Sequence, residues 1–108
     1  MAELEHGAAE PLVVETEVDG DGPVVKVSGD LDIASVEQLK SVVSSIVEKR
    51  PSRLTFDLSR LRFMDSAGIA VLLGAVSQVE TVRLRGVSHA VRRLLELTGL
   101  TDVFAIES

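Results

Sequence analysis

Asp65 and Ser66 are the neighbouring side chains best placed for chemistry, because they precede a run of small and aliphatic residues, Ala67 to Val76. Serine and aspartate are preferred helix N-caps, so an ordinary cap is one interpretation of this pair. A phosphoryl group on Ser66 is the other, since it would lie at the positive end of the helix dipole. It would add about −1.5 to −2 charges beside the helix without unfolding it.

The rest of the chain offers little for catalysis or metal binding. There is no Cys, and the two His residues, His6 and His89, are far apart in the sequence. Neither a thiolate metal site nor a His-based catalytic triad is expected from this inventory. No phosphate-cradling glycine loop or paired base and nucleophile is present either. The sequence therefore predicts a protein that is not an enzyme, with no catalytic residue, metal or cofactor.

The charge balance points to a protein as the partner. Seventeen acidic residues against eleven basic ones give a formal net charge of −6. Such a chain is repelled by nucleic acid and by anionic membrane surfaces, so a protein with some basic character is favoured. Residues 1–10 lack the apolar segment of a signal peptide, and the run from Ala67 to Val76 is too short to span a bilayer. We expect a cytoplasmic protein.

At 108 residues the chain fits one core, with residues 1–10 as a flexible tail and residues 11–108 as the domain. Strands and helices alternate after an initial hairpin, which favours parallel strands joined by crossovers. The predicted elements are strands 12–18 and 24–27 around an Asp-Gly turn, a helix from a Ser35/Gln38 capping box, strand 54–58, a loop at 59–65, a helix from Ser66, strand 82–87, a helix between Ser88 and Gly99, and strand 103–106. The fold class is α/β with a single mixed sheet of about five strands.

The helix after Ser66 has two apolar sides. Ile69, Leu72, Leu73, Val76 and Val79 share the spacing of a core face. The opposite side carries small residues instead of charged ones: Ala67, Ala70, Val71, Gly74 and Ala75. Two interpretations remain open, a helix buried on both sides within the domain and a flat docking surface for a partner.

Three ordered motifs give the chain a family resemblance from Leu12 to about Ile106. Phe63 to Ile69, F-M-D-S-A-G-I, resembles the phosphorylation motif of the stand-alone bacterial anti-sigma factor antagonists, which are STAS domains. Ser28 to Asp32, S-G-D-L-D, resembles the turn before the first helix of that family. Gly86 to Leu100 resembles the signature of its third helix.

The resemblance implies a role for each matched position. Ser66 would be the phosphoacceptor, and Asp32 would support recognition by the kinase; a second helix cap is an equally good interpretation of Asp32. The unphosphorylated protein would bind an anti-sigma factor that is itself a serine kinase and release the sigma factor, and a phosphoserine phosphatase would reset the switch. The residues expected to bind the partner are Asp32, Asp65, Ala67, Gly68, Ala70, Val71 and Gly74.

Two departures from the family pattern and two alternatives stay open. Family members commonly continue into a fourth helix after the last strand. The surface that this helix would cover could be bare here, which leaves open whether an edge is exposed and whether the chain self-associates weakly. The link from Gln78 to Val82 lacks the family's common glycine, which leaves the end of the second helix uncertain. Some relatives are reported to bind nucleotides, which leaves open a weak site near Asp32 and Ser66. The main alternative function is a constitutive STAS subunit of a lipid-transporting ABC complex.

Overall fold

A computed structural model describes residues 10–107. The predicted fold class is confirmed, because five strands form one mixed sheet and three helices alternate with them. In chain order the elements are β1 (Val13–Asp19), β2 (Gly22–Leu31), α1 (Val36–Val47), β3 (Arg53–Met64), α2 (Ser66–Val76), β4 (Thr81–Arg85), α3 (His89–Leu97) and β5 (Ala105–Ile106). Within the described residues, no helix is long and apolar enough to cross a membrane.

The strands lie in the order β1-β2-β3-β4-β5. The first pair is antiparallel and closes as a hairpin in which Asp19 pairs with Gly22. Gly22 has a φ of +115°, which glycine adopts at little cost, so the Asp-Gly turn predicted from the sequence is confirmed. The remaining pairs are parallel, and their carboxyl ends therefore meet at one edge of the sheet.

The two faces of the sheet differ in chemistry. Val25, Phe56 and Leu84 pair across β2, β3 and β4 and are fully buried in the core. One position further along, Lys26, Asp57 and Arg85 pair across the same strands. Because successive side chains alternate between faces, this second row lies on the face away from the core. The core is thus one-sided.

The hairpin turn between β1 and β2 is held over the charged face of the sheet by ion pairs. Asp21 bridges Arg53 and Arg83, each at 3.1 Å, and Asp19 lies 3.5 Å from Arg85. These contacts join residues more than thirty positions apart, so they hold the turn over the sheet. Exposed ion pairs of this kind each contribute little, but together they fix where the hairpin lies.

The helix signals in the sequence were only partly correct. Ser88 accepts a hydrogen bond from the Val91 amide at 3.1 Å, and Gly99 follows α3 with a φ of +71°, so both predicted ends of α3 are confirmed. Ser35 is the N-cap of α1, as predicted, but the reciprocal hydrogen bonds of the predicted Ser35/Gln38 capping box are not formed. The Ser35 hydroxyl donates to the Asp30 carbonyl at 2.9 Å, and the Gln38 side chain donates to the Leu12 carbonyl at 3.0 Å.

Strand lengths also differ from the prediction. β2 and β3 run on to Leu31 and Met64, so the segment predicted as a loop at 59–65 is mostly strand. The register between β2 and β3 shifts twice, at Lys26/Ser28 and Gly29/Asp30, and this irregularity hides the alternation in the sequence. β4 and β5 are shorter than predicted.

Asp30 fixes the start of the described chain. Its carboxylate accepts hydrogen bonds from the Arg62 guanidinium at 3.0 Å and from the Glu10 amide at 3.1 Å. The Asp30 amide in turn donates to the Glu10 carbonyl. Residues 1–9 of the predicted tail lie outside the described part, whereas Glu10 is held at the end of β2.

The hydrogen bond from Arg62, reinforced by the Glu10 amide, lowers the pKa of Asp30 below its ordinary value of 3.8. A carboxylate with a depressed folded-state pKa stabilises the fold above its unfolded pKa and loses that contribution as pH falls. We therefore expect Asp30→Asn to lower the free energy of unfolding at pH 7 and to flatten its decline between about pH 5 and pH 3. Urea unfolding across this range measures both effects, with the exposed Asp102→Asn as the control. Parallel stability curves for wild type and Asp30→Asn would contradict this assignment.

Candidate functional site

The candidate site lies where the parallel strands β2 and β3 end together. Leu31 pairs with Met64, and the Asp65 amide donates a hydrogen bond to the Leu31 carbonyl at 3.2 Å. Asp32 follows one strand directly and Asp65 follows the other. The structure thus brings Asp32 to the same edge as Asp65 and Ser66, although Asp32 is more than thirty residues from both in the sequence.

Asp65, rather than Ser66, caps α2. Its carboxylate accepts from the Ala67 amide at 2.9 Å, and its carbonyl accepts from the amides of Gly68 and Ile69. Ser66 is the first residue of the helix and is exposed. Within residues 10–107 its hydroxyl makes no hydrogen bond to another residue. The side chain of Ser66 is therefore not used to hold the helix.

Asp32 organises the turn that leads into α1. Its carboxylate accepts from the amides of Ala34 and Ser35, at 3.0 Å and 3.2 Å, and its carbonyl accepts from Val36. These hydrogen bonds fit the interpretation of Asp32 as a cap for α1. Ile33 sits at the tip of the turn with 77% of its surface exposed. Contact of Asp32 with a kinase stays a prediction.

The small-residue side of α2, for which two interpretations were open, is only partly exposed. Ala70 and Gly74 are exposed and Ala67 is half-buried, whereas Val71 and Ala75 are 7% and 1% exposed. Burial within the domain thus holds for these last two residues, because α1 packs against α2. The helix therefore contacts both the sheet and a neighbouring helix.

Gly68 is buried for a separate reason. A Cβ at this position would lie 2.6 Å from Met64 Cγ and 2.8 Å from Leu31 Cδ2. The absent side chain thus lets the first turn of α2 approach the ends of both strands. Gly68 cannot touch a partner directly without movement of the helix, although it places Ser66 and Ala67.

A groove of about 550 Å³ runs between α1 and α2. Its floor is aliphatic and includes Val36, Val43 and Val47 of α1 and Val71 and Ala75 of α2. Ile33, Ala67, Ala70 and Gly74 also line it, which makes it continuous with the turn after β2. The contribution of α1 was not predicted from the sequence, although the aliphatic residues Ile33 and Val47, before and at the end of this helix, were the available signals.

The rim of the groove is polar and nearly neutral. Glu37 and Lys40 form an ion pair at 3.5 Å, with both side chains mostly exposed. Ser44 and Gln78 complete the polar edges. Among residues 10–107, no group of three or more His, Cys, Asp or Glu side chains is arranged to hold a metal ion. The groove thus combines an aliphatic floor with polar edges.

A family model described as the STAS domain matches residues 13–108. The chain belongs to the STAS-domain family. The match covers every strand and helix described above, which confirms the resemblance inferred from the three sequence motifs. The site at the ends of β2 and β3 is thus a feature of a STAS domain.

Proteins similar to this STAS domain carry one recurring description. The chain is 28% identical over 99 residues to an anti-sigma-B factor antagonist of Staphylococcus epidermidis, with 88% of this chain and 92% of the relative covered. The same identity and coverage hold for the protein of that description from Staphylococcus aureus strain NCTC 8325.

Solved structures agree on the fold. An anti-sigma factor antagonist from Mycobacterium paratuberculosis is 28% identical with a TM-score of 0.78, over 88% of this chain and 84% of the other. The Bacillus cell fate determinant SpoIIAA, in its phosphorylated form, is 24% identical with a TM-score of 0.69, over 89% and 92% of the two chains. At that identity the second likeness shows the fold alone.

The two glycines of α2 should respond oppositely to alanine. A Cβ at Gly74 meets no atom within 4 Å, so Gly74→Ala should stabilise the STAS domain by up to about 1 kcal/mol through helix propensity. At Gly68 the same gain is opposed by overpacking against Met64 and buried Leu31, which typically costs about 1–3 kcal/mol. We expect Gly68→Ala to be destabilising. Chemical denaturation of the two variants tests this, and equal shifts would contradict the close approach at Gly68.

Proposed function

We propose that this chain is an anti-sigma factor antagonist controlled at Ser66. In its unphosphorylated form it binds an anti-sigma factor that has serine kinase activity, and the sigma factor is thereby released. Phosphorylation of Ser66 by that kinase ends the interaction, and a phosphoserine phosphatase restores it. The chain acts by binding and performs no catalysis itself.

The observation that carries the proposal is the unused hydroxyl of Ser66. Asp65 already caps the amides of the first turn, and Ser66 is exposed with no hydrogen bond to another described residue. Phosphorylation of Ser66 would therefore displace no helix-capping hydrogen bond among residues 10–107. The descriptions of the Staphylococcus and Mycobacterium relatives supply the class of partner.

The position of Ser66 explains how one modification could act on binding and spare the fold. A phosphoryl group at the first residue of α2 faces the positive end of the helix dipole, which favours an anion. It also adds close to two charges beside the groove, next to Ala67 and Ala70. A partner group packed against that apolar surface would have to accommodate a strongly hydrated anion, so docking is disfavoured.

The remaining predicted binding residues take different parts in this proposal. Ala67, Ala70 and Gly74 would contact the partner directly, because they are exposed or half-buried along the groove. Val71 would line its floor, and Gly68 would act only by placing the first turn. Asp32 and Asp65 would hold the two loops that present Ser66.

Incubation with the anti-sigma factor and ATP should add one phosphoryl group to the wild-type chain, on Ser66. Ser66→Ala should accept none and should still bind, since none of the three hydrogen bonds to Asp65 at the start of α2 is lost. Intact-mass and peptide mass spectrometry measure the modification. Ser77→Ala, which changes another exposed serine of the same segment, is the matched control and should be phosphorylated normally.

Full phosphorylation of Ser66→Ala would contradict the proposal. Tight binding without any phosphorylation of the wild type would favour instead a constitutive STAS subunit, such as one in a lipid-transporting ABC complex.

Ala70→Arg and Gly74→Arg should each abolish binding to the anti-sigma factor without destabilising the fold, because both positions are exposed. Ala70→Arg should change stability by about 0.5 kcal/mol or less, and Gly74→Arg should stabilise by up to about 1 kcal/mol, since arginine favours a helix more than glycine does. Calorimetric titration and thermal unfolding measure the two effects. Leu72→Ala is the opposite control, since this side chain is fully buried and its truncation should cost about 2–5 kcal/mol. Wild-type affinity in both arginine variants would remove α2 from the interface.

A further inference from the structure

We infer that the groove between α1 and α2 receives an amphipathic helix of the partner protein. This inference rests on the proposed function, because it names how the anti-sigma factor engages the surface beside Ser66. It differs from the flat α2 surface expected from sequence in that α1 forms half of the binding site.

The length and openness of the groove suit a helix. α2 has eleven residues, so the groove beside it is about 16 Å long at a rise of 1.5 Å per residue. Its outer edge on α2 is formed by the exposed Ala70 and Gly74, whose small size leaves room for another backbone. A partner helix of about three turns could lie there with its apolar stripe on the floor.

The lining sets the chemistry of the partner helix. The floor residues are valines and alanines, which favour aliphatic side chains at i, i+3 or i+4, and i+7 spacing on the partner. The α1 rim offers one acidic and one basic group, Glu37 and Lys40, at a separation of 3.5 Å. A complementary helix would place a basic residue opposite Glu37 and an acidic one opposite Lys40.

A second copy of this chain is a poor occupant. The outer residues of two of its helices are polar: Glu37, Ser41 and Ser45 on α1, and His89, Arg93 and Glu96 on α3. The one exposed large aliphatic side chain on α3, Leu97, cannot supply a stripe. The exposed residues of α2, such as Ala70 and Gly74, are too small to fill the groove. Among residues 10–107 no helix therefore offers the aliphatic stripe, and we assign the helix to the partner protein.

A small apolar ligand fits less well. Small-molecule sites typically bury about 70–90% of their ligand. Here the rim residues Glu37, Lys40, Ser44, Ala70 and Gly74 are all exposed, so the groove is open along its length. Such an open trough would leave much of a bound small molecule in water.

The neighbours Ser44 and Ser45 give a matched pair for the test. Both are exposed on α1, but only Ser44 lines the groove. We expect Ser44→Arg to weaken binding of the purified anti-sigma factor about tenfold or more, and Ser45→Arg to change it less than about twofold. Calorimetric titration gives both affinities, and circular dichroism checks that each variant is folded.

Because the chain has no Cys, a photoreactive thiol reagent on Ser44→Cys marks what lies in the groove. A cross-link to an anti-sigma factor segment with aliphatic residues at helical spacing supports the inference, and one to a segment without that spacing overturns it. Equal affinities of Ser44→Arg and Ser45→Arg would also overturn it. So would native mass spectrometry showing that a co-purified small molecule occupies the groove of the wild type and is lost in Ser44→Arg. Failure of the proposed function would look different, since the wild type itself would not bind.

Discussion

The hydrogen bond from the Asp65 amide to the Leu31 carbonyl is the contact on which the candidate site depends. It continues the parallel ladder of β2 and β3 by one residue beyond the Leu31–Met64 pair. Both chains leave the sheet at this point, one toward Asp32 and α1, the other toward Ser66 and α2. The same bond therefore holds the starting points of the two loops side by side.

The irregular pairing of β2 and β3 just before the site also shapes this edge of the sheet. The shift between Gly29 and Asp30 accompanies a φ of +88° at Gly29, where a Cβ would lie 2.1 Å from the Pro11 carbonyl oxygen. Only glycine allows this approach, so the segment at Glu10 and Pro11 lies against the end of β2. Asp30 then binds Glu10 and Arg62 together, which ties β3 to the entering chain just before the site.

Sequence alone could predict the elements whose signals are local. The Asp-Gly hairpin and both ends of α3 depend on neighbouring residues, and they were correct. The start of α1 after Ser35 was also correct, but the reciprocal hydrogen bonds of the capping box were not. The Ser35 hydroxyl bonds to the Asp30 carbonyl and the Gln38 side chain to the Leu12 carbonyl, both of which lie outside the helix. The end of β3 was missed for a similar reason, since two register shifts remove the period-two pattern that marks a strand.

In the candidate site, too, local features could be predicted from the sequence and those that depend on distant segments could not. Asp65 and Ser66 could be located by residue type, but which of them caps α2 required the backbone geometry of the first turn. The small residues of α2 could not be divided into packed and exposed ones, because a helical wheel does not show where α1 lies. The position of α1 relative to α2, and with it the groove, depends on contacts between residues far apart in the sequence.

Packing within the domain accounts for Gly68 but not for Gly74. Gly68 is required where α2 meets Leu31 and Met64, while a side chain at Gly74 would meet nothing within 4 Å. A glycine inside a helix costs about 1 kcal/mol relative to alanine, and no contact among the described residues offsets that cost at Gly74. Ala70, one turn earlier on the same exposed line, is small as well. A partner backbone that packs closely against α2 would explain why both residues are small. That partner would contact α2 about one turn from Ser66 at Ala70 and about two turns from it at Gly74.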